Sequence, residues 1–234
     1  MRITASFGDG HGWRLSWRLL LLVGFLWLTP DGTRGSLKKA LAGQECKIAI
    51  LGDSLTAGYG VAAAEALPSM LDQALKRRGF DCAIEDAGVS GDTSAGGLAR
   101  VDWVMADKPS HLIVELGGND GLRALPVDQL ERNLAEIIKH AQSVGAKVAL
   151  LGIVAPPNLG ISYTESFRAV FRRLADQFEI PLYPFLLDRV ITDPDLMQAD
   201  RIHPNAKGVA HITENILPFI TSWLNATGVA GESH

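Results

Sequence analysis

Four short stretches carry side chains that could share one reaction. Ser54 sits in Gly52-Asp53-Ser54-Leu55, directly after the apolar run Lys47-Ile48-Ala49-Ile50-Leu51. Gly91 lies in Val89-Ser90-Gly91-Asp92-Thr93, Asn119 in Gly117-Gly118-Asn119-Asp120, and Asp200 and His203 in Asp200-Arg201-Ile202-His203. Ester cleavage needs a nucleophile, a base to take its proton, a group that orients the base, and donors for the oxyanion. Ser54 offers the hydroxyl. Of the six histidines, His203 is the best base, because His11 precedes the core, His111 opens a strand, His140 and His211 fall in helices and His234 is terminal. Asp200 is close enough in sequence to bend back and hold the histidine Nδ1–H. The N–H of Ser54, the N–H of Gly91 and the side-chain amide of Asn119 would form the oxyanion hole.

Each residue also has a bland reading. Ser54 could cap a helix, His203 before Pro204 could cap the last helix, Asn119-Asp120 could be a turn, and Gly91 a backbone convenience. Asp53 and Asp120 are rival acids, read as turn and supporting groups, and Glu115 reads as a paired structural acid. Location weighs against the bland readings. The apolar run before Ser54 has the composition of a buried parallel strand. Ala83-Ile84-Glu85-Asp86-Ala87 is a second strand, ending before Gly91, and His111 to Leu116 a third, ending before Asn119. Lys147 to Ile153 is the fourth, and the fifth lies near Pro181-Leu182-Tyr183, ahead of His203. Helical patterns run from Ala62 to Arg78, Ala95 to Met105, Val127 to Val144, Tyr163 to Phe178 and Asn205 to Leu224. Strands alternating with helices imply parallel βαβ units. The expected fold is an α/β three-layer sandwich with a five-stranded parallel sheet in flavodoxin-like order, 2-1-3-4-5. In such sheets ligands sit outside the carboxyl ends of the strands, so the four stretches should converge there.

The chain has 234 residues, 47% of them hydrophobic and 21% charged, which suits one domain with a sizeable core. A net charge of −4 argues against a nucleic-acid footprint, which would be basic and clustered. Arg14 and Arg18 precede the apolar run Leu19 to Leu28, which suits a secretory signal and is short for a membrane span. Ala40-Leu41-Ala42 is a small-x-small site, although a long lysine-containing gap separates it from Leu28. Residues 1–42 are therefore expected to be a signal peptide or amino-terminal anchor, and 43–234 the catalytic domain of an exported, periplasmic or secreted protein. The two cysteines, Cys46 and Cys82, show no metal-ligand spacing. Each lies just before one of two strands that are neighbours in the expected order. Export would put them in an oxidising compartment, so a Cys46–Cys82 disulfide is expected, against the alternative of two buried thiols.

The four blocks resemble those of the SGNH (GDSL) hydrolase family. Leu51 to Tyr59, Gly97-Leu98-Ala99-Arg100 and Val114 to Arg123 further resemble its multifunctional acyl-CoA thioesterase/lysophospholipase/arylesterase branch. The similarity spans about Lys47 to Leu224. It implies the roles assigned above to Ser54, Gly91, Asn119 and His203. The long amino-terminal region and Pro156-Pro157 depart from the pattern.

These readings together describe a serine esterase that forms an acyl-enzyme on Ser54 and needs no metal or cofactor. Its substrate would be a small acyl ester or thioester, with membrane lipid as a further source, and its state a monomer. An acyl groove is expected from Leu122 and Leu125 after the third strand and Pro157, Leu159 and Ile161 after the fourth. The rivals are a carbohydrate O-deacetylase of the same fold and a catalytically silent lipid-binding protein. A nucleotide-binding module is disfavoured, because the chain lacks both Gly-Lys-Ser/Thr and G-x-G-x-x-G.

Overall fold

Strand β1 (Cys46–Gly52) pairs with β2 (Cys82–Gly88) on one side and β3 (His111–Glu115) on the other. β4 (Lys147–Leu151) and the two-residue β5 (Leu182–Tyr183) complete a parallel sheet in the order β2-β1-β3-β4-β5. This is the expected order. The computed structural model describes residues 45–231, so the expected leader or anchor lies outside them. No helix among the described residues is long and apolar enough to cross a membrane.

The three central strands, β1, β3 and β4, are legible because they are buried on both faces. Ile48, Ala49, Ile50 and Leu51 of β1, with Leu112 and Ile113 of β3, have no exposed surface. Each large apolar side chain buried this way stabilises by about 1.5–3 kcal/mol. The chain follows β1 with α1 (Ser54–Ala57), a 3₁₀ turn (Ala63–Glu65) and α2 (Leu67–Arg77). After β2 comes α3 (Ser94–Ala106), and after β3 come α4 (Gly118–Leu122) and α5 (Val127–Ser143). β4 leads to a 3₁₀ turn (Pro157–Leu159) and α6 (Ile161–Phe178), and β5 through a further 3₁₀ turn (Pro194–Leu196) to α7 (Ala206–Ala226). α2 packs on α7, and α5 packs between α3 and α6, giving a helical layer on each side of the sheet. In α5 the stripe Leu130, Leu134, Ile137, Ile138 and Ala141 is wholly buried, as its helical spacing requires.

The helix expected over Ala62 to Arg78 is two elements. Pro68 sits in the first turn of α2 and has no N–H to extend a helix backwards, so Ala63–Glu65 makes its own tight turn. Cys46 and Cys82 stand opposite each other in the β1–β2 register and are joined by a disulfide, with Cα atoms 4.6 Å apart.

Candidate active site

Ser54 is the first residue of α1, at the carboxyl end of β1. The cap of that helix is Asp53, not Ser54: its Oδ1 accepts the N–H of Leu55 at 3.0 Å. The serine hydroxyl is thus left to face outward. Gly52 makes the turn fit, because a Cβ there would overlap the Thr56 side chain and crowd the Glu115 carboxyl.

The hydroxyl meets His203. Nε2 of the ring lies 2.9 Å from Ser54 Oγ, and Nδ1 lies 2.7 Å from Asp200 Oδ2. The other oxygen of Asp200 accepts the N–H of His203 at 3.0 Å and of Ile202 at 2.9 Å. Burial works to raise the Asp200 carboxyl, but hydrogen bonds from the His203 ring and from the two N–H groups outweigh it and hold it at about 2. An ionised Asp200 fixes a proton on Nδ1, which leaves Nε2 free to accept from Ser54. The loop is tied down on both sides: Gln198 N donates to His203 O at 2.8 Å, and its side-chain amide donates to Tyr59 O at 2.7 Å. The Tyr59 ring packs against His203, tilted by 41° with centroids 4.5 Å apart. Asn205, not His203, caps α7.

Asn119 lies in the first turn of α4, at the carboxyl end of β3, and faces the same cavity as Ser54 and His203. Gly91 follows β2 with φ +88, a conformation that favours glycine. Only the Arg123 guanidinium comes within 4 Å of a Cβ built there, so backbone rather than space asks for glycine at this position. Arg123 donates to the Gly91 carbonyl at 2.8 Å and so fastens this turn to the end of α4. The N–H groups of Ser54 and Gly91 have no acceptor among the described residues.

Three acids lie buried beneath. Asp120 accepts from Ser94 N at 2.8 Å and from Ser94 Oγ at 2.5 Å, tying α4 to the start of α3. Glu115 is fully buried, and its Oε2 accepts from Thr56 Oγ1 at 2.8 Å and Asp53 N at 3.3 Å. Burial first, and then the nearby Asp53 charge, push the Glu115 carboxyl well above its ordinary range. Burial also raises Asp53, to about 6, against the pull of the Leu55 N–H and the Asn119 amide. Among the described residues Glu115 forms no ion pair, contrary to the paired acid expected from sequence, and its Oε1 has no hydrogen-bond partner; both favour the uncharged carboxyl. Arg100 donates to Asp92, Ala87 O and Gly52 O and holds the ends of β1 and β2 together.

Ser54, Asn119 and His203 open onto a cavity of about 670 Å³. Of the expected groove residues, Leu122, Pro157 and Ile161 line it, whereas Leu125 and Leu159 do not. Leu159 packs against the core instead, while the Leu125 carbonyl accepts from Tyr163 Oη at 2.7 Å. Gly91 and Asp200 are not part of the wall. Much of the rest comes from residues that sequence reading missed, among them Val154 and Ala155 after β4, Phe185, Leu187 and Ile191 after β5, and Arg201 and Ile202 beside the histidine. Ile202 and Arg201 lie inside a motif and could have been flagged; the others look like core. A hollow of about 740 Å³ at the opposite end of the sheet, among Phe178, Ile180, Pro181, Phe219 and Trp223, is lined by none of the candidate residues.

Comparison with known proteins agrees with this geometry. The model of the GDSL-like lipase/acylhydrolase family matches residues 50–211. Esterase TesA of Pseudomonas aeruginosa is 42% identical over 170 residues, covering 72% of this chain and 85% of that protein. Thioesterase 1/protease 1/lysophospholipase L1 of Escherichia coli K12 is 34% identical over 220 residues, 94% of this chain and 93% of that one. The solved structure of psychrotrophic esterase EstA from Pseudoalteromonas sp., inhibited by monoethylphosphonate, superposes with a TM-score of 0.74. It is 35% identical and covers 77% of this chain and 100% of its own.

Proposed function

The chain belongs to the GDSL-like lipase/acylhydrolase family and is a hydrolase of ester bonds, and from that premise we propose how its residues do the work. Ser54 Oγ attacks the carbonyl carbon of an ester or thioester while His203 Nε2 takes its proton. Asp200 stabilises the imidazolium and keeps its orientation. The N–H groups of Ser54 and Gly91 and the Nδ2 of Asn119 receive the charge on the tetrahedral oxygen. His203 then gives its proton to the leaving oxygen or sulfur, and water repeats the sequence on the acyl-enzyme. The observation that carries this reading is the chain of contacts Asp200 Oδ2–His203 Nδ1 at 2.7 Å and His203 Nε2–Ser54 Oγ at 2.9 Å. It ends on a serine at the mouth of an apolar cavity.

The test is hydrolysis of nitrophenyl esters beside acyl-CoA and lysophospholipid, with covalent labelling by a fluorophosphonate probe. Parent protein should turn over and label, and Ser54→Ala should do neither while keeping its fold. Near-native turnover by Ser54→Ala would end the proposal. We further propose that the protein is exported and monomeric. The amino-terminal apolar run and the Cys46–Cys82 bridge support an oxidising compartment.

A further inference from the structure

We propose that Arg201 is the anion-recognising residue of this site and binds a phosphate carried by the leaving group of the substrate. The inference rests on the acyl-enzyme reading above.

The leaving atom must come within reach of His203 Nε2, since that nitrogen protonates it. Whatever the leaving group carries then lies beside the loop that holds His203. Arg201 is on that loop and lines the cavity. The remaining wall is almost wholly uncharged: Leu55, Leu122, Ile153, Phe185, Leu187 and Ile191 are typical of it. The other ionisable groups there are the histidine itself and the buried Asp53. Arg201 is thus the one solvent-facing permanent charge on the wall. Its guanidinium makes no ion pair or hydrogen bond among the described residues, although Asp188, Asp193, Asp195 and Asp200 share the loop. Asp200 is taken by His203, Asp188 lies beside Arg189, and Asp193 accepts the N–H of Asp195.

The backbone adds an independent sign. Arg201 has φ +57, in the left-handed region where a side chain is disfavoured and glycine is at ease. The turn is set by Asp200, whose carboxyl takes the N–H groups of Ile202 and His203 just past the bend. Chemistry at Asp200 and His203 fixes that conformation, and nothing in the fold requires arginine at the bend. An arginine there gives a planar fork of donors suited to phosphate oxygens. An apolar cavity with a single cation beside the leaving-group position fits an amphiphile: an acyl chain on one side of the scissile bond and a phosphate on the other. Lysophospholipids and acyl-CoA thioesters share that chemistry.

The experiment presents one acyl chain, dodecanoyl, on three leaving groups: p-nitrophenol, glycerophosphocholine (as dodecanoyl lysophosphatidylcholine below its micelle concentration) and coenzyme A. The readout is kcat/KM for each phosphate-bearing substrate divided by that for the nitrophenyl ester. Arg201→Gln should lower these ratios about tenfold, the effect of losing one charge-assisted hydrogen bond at an open site. Arg201→Lys should retain much of each ratio. Arg201→Gly, which suits the backbone, should fold at least as stably as the parent and still lose discrimination, which separates recognition from structural damage. Raised salt should erode the ratio in the parent and leave Arg201→Gln nearly flat. A fall confined to the thioester supports recognition of a nucleotide carrier, and one confined to the lysolipid supports recognition of a headgroup. Ratios unmoved in Arg201→Gln and Arg201→Gly overturn the assignment. Failure of the parent to hydrolyse any of the three esters would instead strike the esterase reading itself.

Discussion

Asn119 Nδ2 donates to Asp53 Oδ2 at 3.3 Å, so the amide that faces the cavity is held from behind by a buried carboxyl. The same Asp53 accepts the Leu55 N–H and caps the helix that begins with Ser54. One acid therefore sets two of the proposed working groups: the start of the nucleophile's helix and the rotamer of an oxyanion donor.

Replacing it with an isosteric amide should show this. Asp53→Asn keeps one oxygen for Leu55 but can turn donors toward the Asn119 amide, which must then rotate away. We expect kcat to fall by about tenfold or more, less than the roughly 10²–10³ of losing an oxyanion donor outright, with KM nearly unchanged. Steady-state kinetics on a short nitrophenyl ester reads the split. An effect carried by KM alone would mean that Asp53 serves substrate binding.

Glu115 gives a stability prediction. Its folded value lies well above the ordinary one, through burial and then Asp53, so the folded state binds this proton more tightly than the unfolded chain. The stability it contributes is present at acid pH and is lost as pH rises through the raised value. Glu115→Gln cannot ionise and keeps an oxygen for Thr56. Relative to the parent it should gain stability from about pH 4.5 upward, by at most about 1.4 kcal/mol per pH unit. Urea unfolding of both proteins across pH 4–8 would show two lines that diverge. Parallel lines would mean that Glu115 ionises freely when folded.

His111 acts with the opposite sign. It is buried, Nδ1 lying 2.9 Å from Ser110 Oγ and Nε2 2.9 Å from Thr227 Oγ1, with Trp223 edge-on at 5.0 Å. Burial, then the charge of Lys147, lowers it to about 4. A depressed histidine contributes stability that is complete above its ordinary value of 6.5 and drains away as pH falls toward 4. The loss should approach about 3 kcal/mol at most, since each tenfold change in proton affinity is worth about 1.4 kcal/mol. His111→Gln should flatten the acid side of the stability curve. If acid destabilises that variant as steeply as the parent, other groups cause the loss.

The parts of this molecule that sequence revealed share a physical reason. The strands with continuous apolar runs announce themselves, because burial on both faces leaves no polar position to blur the pattern. The fifth is harder: β5 is only Leu182–Tyr183, at an edge. Ser54, Gly91, Asn119 and His203 were legible because each follows a strand and is locally placed by its own turn. The cavity wall was not. Leu159 and Ile161 are near neighbours of the same apolar kind, yet one turns to the core and the other to the cavity. Gly160, with φ +88, separates the 3₁₀ turn ending at Leu159 from the helix beginning at Ile161, and only packing chooses the direction of each side chain. Phe185, Leu187 and Ile191 sit far from Ser54 in sequence, and nothing local distinguishes them from core.

The cavity wall gives a prediction about acyl preference. Most residues lining the cavity of about 670 Å³ are apolar, and the cavity opens directly at Ser54. A linear chain entering it should gain up to about 0.8 kcal/mol per buried CH₂, or roughly fourfold in kcat/KM per carbon, until the chain emerges into solvent. Activity on nitrophenyl esters should therefore climb from acetyl over several carbons and then level. Val154 is 36% exposed and forms part of the wall, so Val154→Trp should fill space and penalise decanoyl far more than acetyl. Leu159→Trp should behave differently, because Leu159 packs against the core: it should lower thermal stability by overpacking and leave the chain-length profile alone. Should acetyl esters prove the best substrates by a wide margin, with Val154→Trp neutral, the cavity does not hold the acyl chain and a deacetylase activity becomes the better reading. The expected result, a profile that shifts with Val154 and not with Leu159, would place the chain against the wall that follows β4.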